Sequence, residues 1–335
     1  MKAWRRWLRR GGIGAVAALV AFVLVGLTYQ VVGARADVRN FPPPGKLVNV
    51  GGRGLHIQCA GTGQPTVVLE TGALAMSALW GNVLPEVAVH TRVCSYDRAG
   101  LGWSEPGPMP RDGLHIASEL HALLRNAGEP PPYVLVGHSF GGLLVRVYRD
   151  RYPEDVVGLL LLDSSHPDQV ARFEKVLGKP SFLEDRLLPA LLPVMARVGI
   201  LRFTFGFTDA GHRFDGLGPR HAAEFKASFA ASSHQSAGRA ELEVWQQTAA
   251  QARAARFLGE LRLVVVSAGE TEPLSPERRV RLELDEELAG LSSRGSQRIL
   301  VGTTHGSLAT NPAHAAQVAE VIRELVEATR GKAEE

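Results

Sequence analysis

Gly137-His138-Ser139-Phe140-Gly141 follows the strand-forming residues Tyr133 to Val136 and runs straight into a helix-like segment, Leu143 to Arg151. A serine between two glycines at a strand-to-helix turn projects its hydroxyl at a helix N-terminus, where backbone N–H groups favour developing negative charge. So tight a turn strains the serine's backbone, and side chains at Gly137 or Gly141 would collide with neighbouring chain. The chemistry that fits is nucleophilic attack on an acyl carbon. A serine hydroxyl is a weak nucleophile at neutral pH, however, and needs a base within hydrogen-bond reach. Of the eleven histidines, His305 is the best placed, because Gly302-Thr303-Thr304-His305-Gly306 follows the last strand-like run, Arg298 to Val301. His314, in the first turn of the final helix, is the spare. His138 adjoins the serine, but its backbone direction turns it towards a packing role.

These residues need a scaffold that gathers them at one end of a sheet. Short strand-like runs at Lys46–Val50 and Leu55–Cys59 flank the turn Gly51-Gly52-Arg53-Gly54. Apolar strands follow at Thr66–Glu70, Arg92–Asp97, Tyr133–Val136, Val156–Leu162, Leu261–Ser267 and Arg298–Val301. Helical patterns fall between them, as at Asp112–Ala127. Strands alternating with helices predict an α/β fold with a mostly parallel sheet and helices on both faces, its ligands at the carboxyl ends of the strands. The Thr71–Leu74 turn, Ser139 and Asp163 all fall at such ends. From Ser164 to about Leu258 no strong strand appears; Pro180, Pro189 and Pro193 punctuate helical pieces, and Ala222–Arg256 reads as two or so helices. The resulting division is a core of 46–163 and 259–335, interrupted by a helical cap at 164–258.

The first forty residues have another character. The net charge is +3, but Lys2, Arg5, Arg6, Arg9 and Arg10 precede any acidic residue. Removing those five from the 37 basic residues leaves 32 against 34 acidic ones. No basic stripe recommends a nucleic-acid partner. Gly11 to Gly33 carries no charge and is long enough to cross a hydrocarbon core of ~30 Å. Its basic flank predicts a cytoplasmic N-terminus, and Trp4 and Trp7 suit the interface. Residues 1–36 are therefore expected to be a basic end and transmembrane anchor, with the remainder extracytoplasmic. The alternative is a secreted chain cleaved near Ala36, in Ala34-Arg35-Ala36; the apolar run exceeds the usual signal core and favours the anchor. Residues 37–45, with Phe41-Pro42-Pro43-Pro44-Gly45, read as a stiff tether.

Several motifs in order carry a family resemblance. Leu69-Glu70-Thr71-Gly72, Tyr96-Asp97-Arg98-Ala99-Gly100, the Gly-His-Ser-Phe-Gly-Gly elbow and Leu162-Asp163-Ser164-Ser165-His166-Pro167-Asp168-Gln169 resemble the α/β-hydrolase superfamily from Lys46 to the C-terminal helix. The resemblance implies an eight-stranded sheet, a helical cap between the sixth and seventh strands, and hydrolysis of an ester or related acyl bond.

It also frames the remaining site residues. The acid usually follows the seventh strand, where Glu272 stands here; some members place it after the sixth, which is Asp163. Asp163 ends an apolar strand, where a carboxylate without a partner is costly. It is favoured narrowly over Glu272, against a role capping nearby N–H groups. His166 and Asp168 are expected to orient the cap. For the oxyanion, the N–H of Phe140 is one donor and that of Ala73 the second, with Leu74 as spare. Thr71-Gly72 replaces the usual His-Gly, so any task of that histidine is absent or reassigned. Arg98 reads as an ion pair holding its loop. Serine at the elbow argues against epoxide-hydrolase or dehalogenase chemistry. No His-Glu-x-x-His or Cys-x-x-Cys occurs, so neither metal nor cofactor is implied. Cys59 and Cys94 fall on strands that neighbour one another in the family's sheet order, where an exported domain could oxidise them or leave them as buried thiols.

The expected activity is a serine hydrolase cleaving a carboxylic ester through an acyl-enzyme. The alternatives are an aminopeptidase or amidase, and a catalytically silent binding protein on the same scaffold.

Overall fold

The computed structural model describes residues 2–207, 216–255, 257–269 and 274–331. Its eight strands are β1 (Lys46–Val50), β2 (Arg53–Ala60), β3 (Thr66–Glu70), β4 (Val93–Tyr96), β5 (Tyr133–His138), β6 (Val156–Leu162), β7 (Arg262–Gly269) and β8 (Gly295–Val301). They form one sheet in the order β1-β2-β4-β3-β5-β6-β7-β8. The first two pairings are antiparallel and the rest parallel. The central strands are apolar on both faces because helices cover both. Val68, Leu135, Leu159 and Leu161 point into one core, while Val67, Leu69, Val134, Val136, Leu160 and Leu162 point into the other.

The helices are α1 (Lys2–Asn40), α2 (Val83–Ala88), α3 (Gly113–Ala127), α4 (Gly141–Arg151), α5 (Gln169–Leu177), α6 (Leu188–Arg197), α7 (Ile200–Phe207), α8 (Pro219–Phe229), α9 (Ser232–Glu243), α10 (Trp245–Ala254), α11 (Pro276–Ala289), α12 (Ser307–Thr310) and α13 (Pro312–Arg330). Asp112 caps α3 by accepting from the His115 amide, and the left-handed Gly128 ends it. Helices α5 to α10 lie between β6 and β7, the position expected for the cap. Residues 222–256 hold parts of three helices rather than two, because short breaks at Ala230–Ala231 and Val244 divide the pattern.

Most expected boundaries shift by a residue or two, and two differ by more. Helix α1 continues to Asn40, four residues beyond the expected anchor end, so the tether is 41–45 rather than 37–45. Polar residues do not break a helix, whereas Phe41-Pro42-Pro43 does, because proline disfavours helical backbone in the residue before it and carries no N–H. Strand β8 starts at Gly295 rather than Arg298, since an edge strand with one wetted face can include Ser296 and Gln297.

Cys59 and Cys94 face one another across the β2–β4 pair and form a disulfide, with Cα atoms 4.1 Å apart.

Candidate active site

The elbow is built by close backbone approach. Ser139 sits between β5 and α4 at φ 54°, a left-handed conformation that costs a non-glycine residue free energy. A Cβ on Gly137 would lie 2.6 Å from the Gly141 carbonyl oxygen, and one on Gly141 would lie 2.7 Å from the carbonyl oxygens of Glu70 and Thr71. Neither position has room for a side chain. The strained turn is held from both sides: the Ser139 amide donates to Leu162 O (3.1 Å), and the Ser165 amide donates to Ser139 O (2.9 Å).

Asp163 follows β6 directly, also with positive φ (40°), and is wholly buried. Its Oδ2 lies 2.6 Å from His305 Nδ1. Its Oδ1 accepts from Arg278 Nη1 at 2.7 Å and from the Ala268 amide at 3.1 Å, and Arg281 stands 3.9 Å from Oδ2. Burial pushes this carboxyl upwards, but the His305 bond and the charges of His305, Arg278 and Arg281 outweigh it and hold Asp163 well below the usual carboxylate range. Glu272 lies outside the described residues.

His305 stands in the loop after β8 with its ring part-exposed. Bonding through Nδ1 to Asp163 leaves Nε2 for a reacting partner. Among the described residues the half-buried Ser139 hydroxyl has no hydrogen-bond partner. Such contacts commonly tighten only when substrate is bound. His138 Nε2 is 3.0 Å from His305 O, and the two rings are 4.6 Å apart. Burial, then the neighbouring His305, pushes the His138 ring down to about 3, so it remains neutral and packs the loop carrying His305. His314 is instead engaged with Ser307 Oγ at 2.9 Å.

The anticipated oxyanion donors, Phe140 and Ala73, lie in the turns after β5 and β3. Among the described residues neither amide is engaged in a hydrogen bond. Leu74, the spare, takes a positive φ of 57°. Arg98 fixes the β3 turn. It is wholly buried, donating to the carbonyl oxygens of Thr71 (2.9 Å) and Gly72 (2.8 Å), to Glu70 (2.6 Å), and through Nε and Nη2 to both oxygens of Glu241 in α9. Tyr96 OH also bonds Glu70, whose carboxyl burial pushes up against the opposing pull of Arg98. Arg98 is thus the expected ion pair, with one partner in the core and another in the cap. The cap also rests on the elbow where Trp245 stacks on Phe140, their rings 4.9 Å apart. Asp168 pairs with Arg253 of α10, while His166 bonds its own loop, so the cap's footing engages Asp168 most directly.

Sequence reasoning missed Glu241 and Arg278. Each lies more than a hundred residues from its partner, 143 for Arg98–Glu241 and 115 for Asp163–Arg278, with no local signature.

A family model described as alpha/beta hydrolase fold matches residues 65–305. The chain belongs to this family. Among curated relatives of this chain, protein YbdG of Bacillus subtilis is 26% identical over 56% of this chain and 57% of its own length. The 2-hydroxy-6-oxo-2,4-heptadienoate hydrolase of Pseudomonas putida is 31% identical over 35% of this chain and 44% of its own. The first curated relatives are matched over only 18% to 57% of their lengths. Among solved structures, a thermophilic esterase from Thermogutta terrifontis superposes with a TM-score of 0.60 at 19% identity, covering 84% of this chain and 98% of that one. Family membership rests on the family model, and the solved neighbour shows the same fold.

Proposed function

We propose that this chain is a serine hydrolase cleaving a carboxylic ester through an acyl-enzyme on Ser139. The observation that carries the reading is the 2.6 Å contact of His305 Nδ1 with Asp163, which leaves Nε2 for the serine proton. In the proposed sequence His305 takes that proton as Ser139 Oγ bonds to the acyl carbon. The carbonyl π electrons move onto its oxygen between the amides of Phe140 and Ala73. Collapse of this adduct breaks the C–O bond, and His305 protonates the departing alcohol. Water, deprotonated by His305, then releases the acid and restores the hydroxyl. An ester is favoured over an amino-terminal peptide because two buried carboxylates beside the β3 turn, Glu70 and Glu241, are both occupied by Arg98 and unavailable to a substrate ammonium.

We also infer that α1 is an uncleaved anchor holding the catalytic domain outside the cytoplasm. It is the one helix among the described residues long and apolar enough by itself to span a bilayer. Cleavage near Ala36 would remove Gln30, which is buried against the cap and donates to Ala230 O at 3.0 Å.

A fluorophosphonate probe tests the catalytic assignment: it is expected to label the wild type and not Ser139→Ala, and p-nitrophenyl esters to be turned over only by the former. Full turnover by Ser139→Ala would overturn the mechanism, and failure of the folded wild type to label would point to a silent scaffold.

A further inference from the structure

The lower edge of the cap carries an apolar surface that the catalytic reading does not use. Leu183, Leu187, Leu191 and Val194 recur at helical spacing along the one-turn π-helix before α6 and along α6 itself, and all four are exposed. Phe182, 73% exposed, precedes this stripe, and Phe203 of α7, 57% exposed, follows the bend. Helices α6 and α7 meet at an 85° bend, and the pair is apolar enough to pass as a broken membrane span. Soluble monomers rarely leave so many large apolar side chains together in water.

The place of α1 says what covers them. Gly26 packs against the Val198 carbonyl so closely that a Cβ there would overlap it, and Gly199 returns the contact from the bend. Further along α1, Arg202 of α7 donates through Nε to Gln30 (2.9 Å), forms an ion pair with Asp37 (2.6 Å) and crowds Gly33. The uncharged run of α1 extends to Gly33, and from Gly26 to Gly33 the helix rises ~10 Å. The α6–α7 bend therefore sits about that far on the bilayer side of the point where α1 would leave the hydrocarbon. Polar Gln30 and Arg202, which lipid would penalise, satisfy one another at the seam.

We propose that the α6–α7 bend is a membrane-contact surface, dipping into the leaflet from which α1 emerges, with the Leu183–Val194 stripe against acyl chains. This rests on the reading of α1 as a span. It makes the cap an interfacial element and favours a lipid-dissolved ester, met at the membrane surface, as the class of substrate.

The test uses the full chain in phosphatidylcholine vesicles. The two native cysteines are joined in a disulfide, so a single added cysteine is a unique site for an environment-sensitive fluorophore. Leu191→Cys, Val194→Cys and Phe203→Cys report the cap, Val20→Cys the anchor, and Val89→Cys, at an exposed turn between α2 and β4, the aqueous baseline. With phosphatidylcholine brominated near the glycerol end of its chains, fluorescence is expected at least to halve at the cap sites and to hold at Val89→Cys. Chains brominated near their methyl ends should quench Val20→Cys more than the cap sites. A quenched Val20→Cys beside cap sites as bright as Val89→Cys would overturn the cap proposal and leave the anchor standing. An unquenched Val20→Cys would overturn both. Cap labels that self-quench between copies without responding to bromine would replace the lipid with a second copy of the chain.

Discussion

Asp163→Asn separates the two acids that the sequence left open. In the wild type both carboxylate oxygens are used, Oδ2 by His305 Nδ1 and Oδ1 by Arg278 and the Ala268 amide. An asparagine whose carbonyl keeps the latter two must turn its NH2 towards His305. Nδ1 then becomes an acceptor, the ring proton moves to Nε2, and the face meant to receive the serine proton already carries one. A wrong tautomer at an otherwise intact triad costs ~10⁴-fold in kcat, or ~5 kcal/mol. The substitution also removes the counter-charge of buried Arg278; breaking a buried pair costs up to ~3–5 kcal/mol of stability. Kinetics on a p-nitrophenyl ester therefore have to be read beside a melting curve, with folded protein at the assay temperature as the condition. The reasoning is refuted if folded Asp163→Asn keeps more than about a tenth of wild-type kcat. The companion Glu272→Gln is expected to be unchanged, and a collapse of its activity would move the acid to the β7 loop.

Two further expectations follow from buried charge. Asp285 is wholly buried and accepts from Ser267 Oγ (2.7 Å); burial, then the nearby Asp163, pushes its carboxyl up to about 7. Because this folded pKa lies above the unfolded one of ~3.8, the unfolded chain ionises first, so the native state loses stability as pH rises between the two and not beyond. Relative to wild type, Asp285→Asn should thus gain about 1–3 kcal/mol more at about pH 8 than at about pH 5, measured by urea titration, and an equal difference at both would sink the idea. Glu241→Gln keeps one acceptor for Arg98 but loses the fork and the charge that latch α9 to the β3 turn. It should lower kcat about 10–100-fold with little change in KM, since a hydrogen bond to a charged group contributes ~1.5–3 kcal/mol; a raised KM at constant kcat would place Glu241 in substrate binding instead.

What the sequence made legible was set by short-range constraint. The Gly137–Ser139–Gly141 turn leaves no room for side chains, so its residue types betray its backbone. The doubly covered strands read as unbroken apolar runs, and the uncharged stretch of α1 follows from length and composition alone. The acid was less legible because a carboxylate at a strand end is explained only by what the fold brings to it, here an imidazole 142 residues away. Arg98 could be recognised as a loop-holding cation, but its cap partner Glu241 is an ordinary helical glutamate with no neighbouring pattern. The α1–cap seam was equally silent, since Gly26 and Gly33 read as small residues in an apolar helix until Val198 and Arg202 are seen against them.

The link between α1 and the sheet is five residues long, 41 to 45, and it is not loose: Trp103 Nε1 donates to Phe41 O at 2.9 Å. With α1 anchored and Ser139 catalytic, both as proposed, the serine is carried at a nearly constant altitude above the bilayer. Encounter is then counted per unit area of membrane rather than per unit volume. A sparingly soluble substrate confined to that surface would be met by lateral diffusion of both parties, while a freely soluble one would gain nothing from the arrangement.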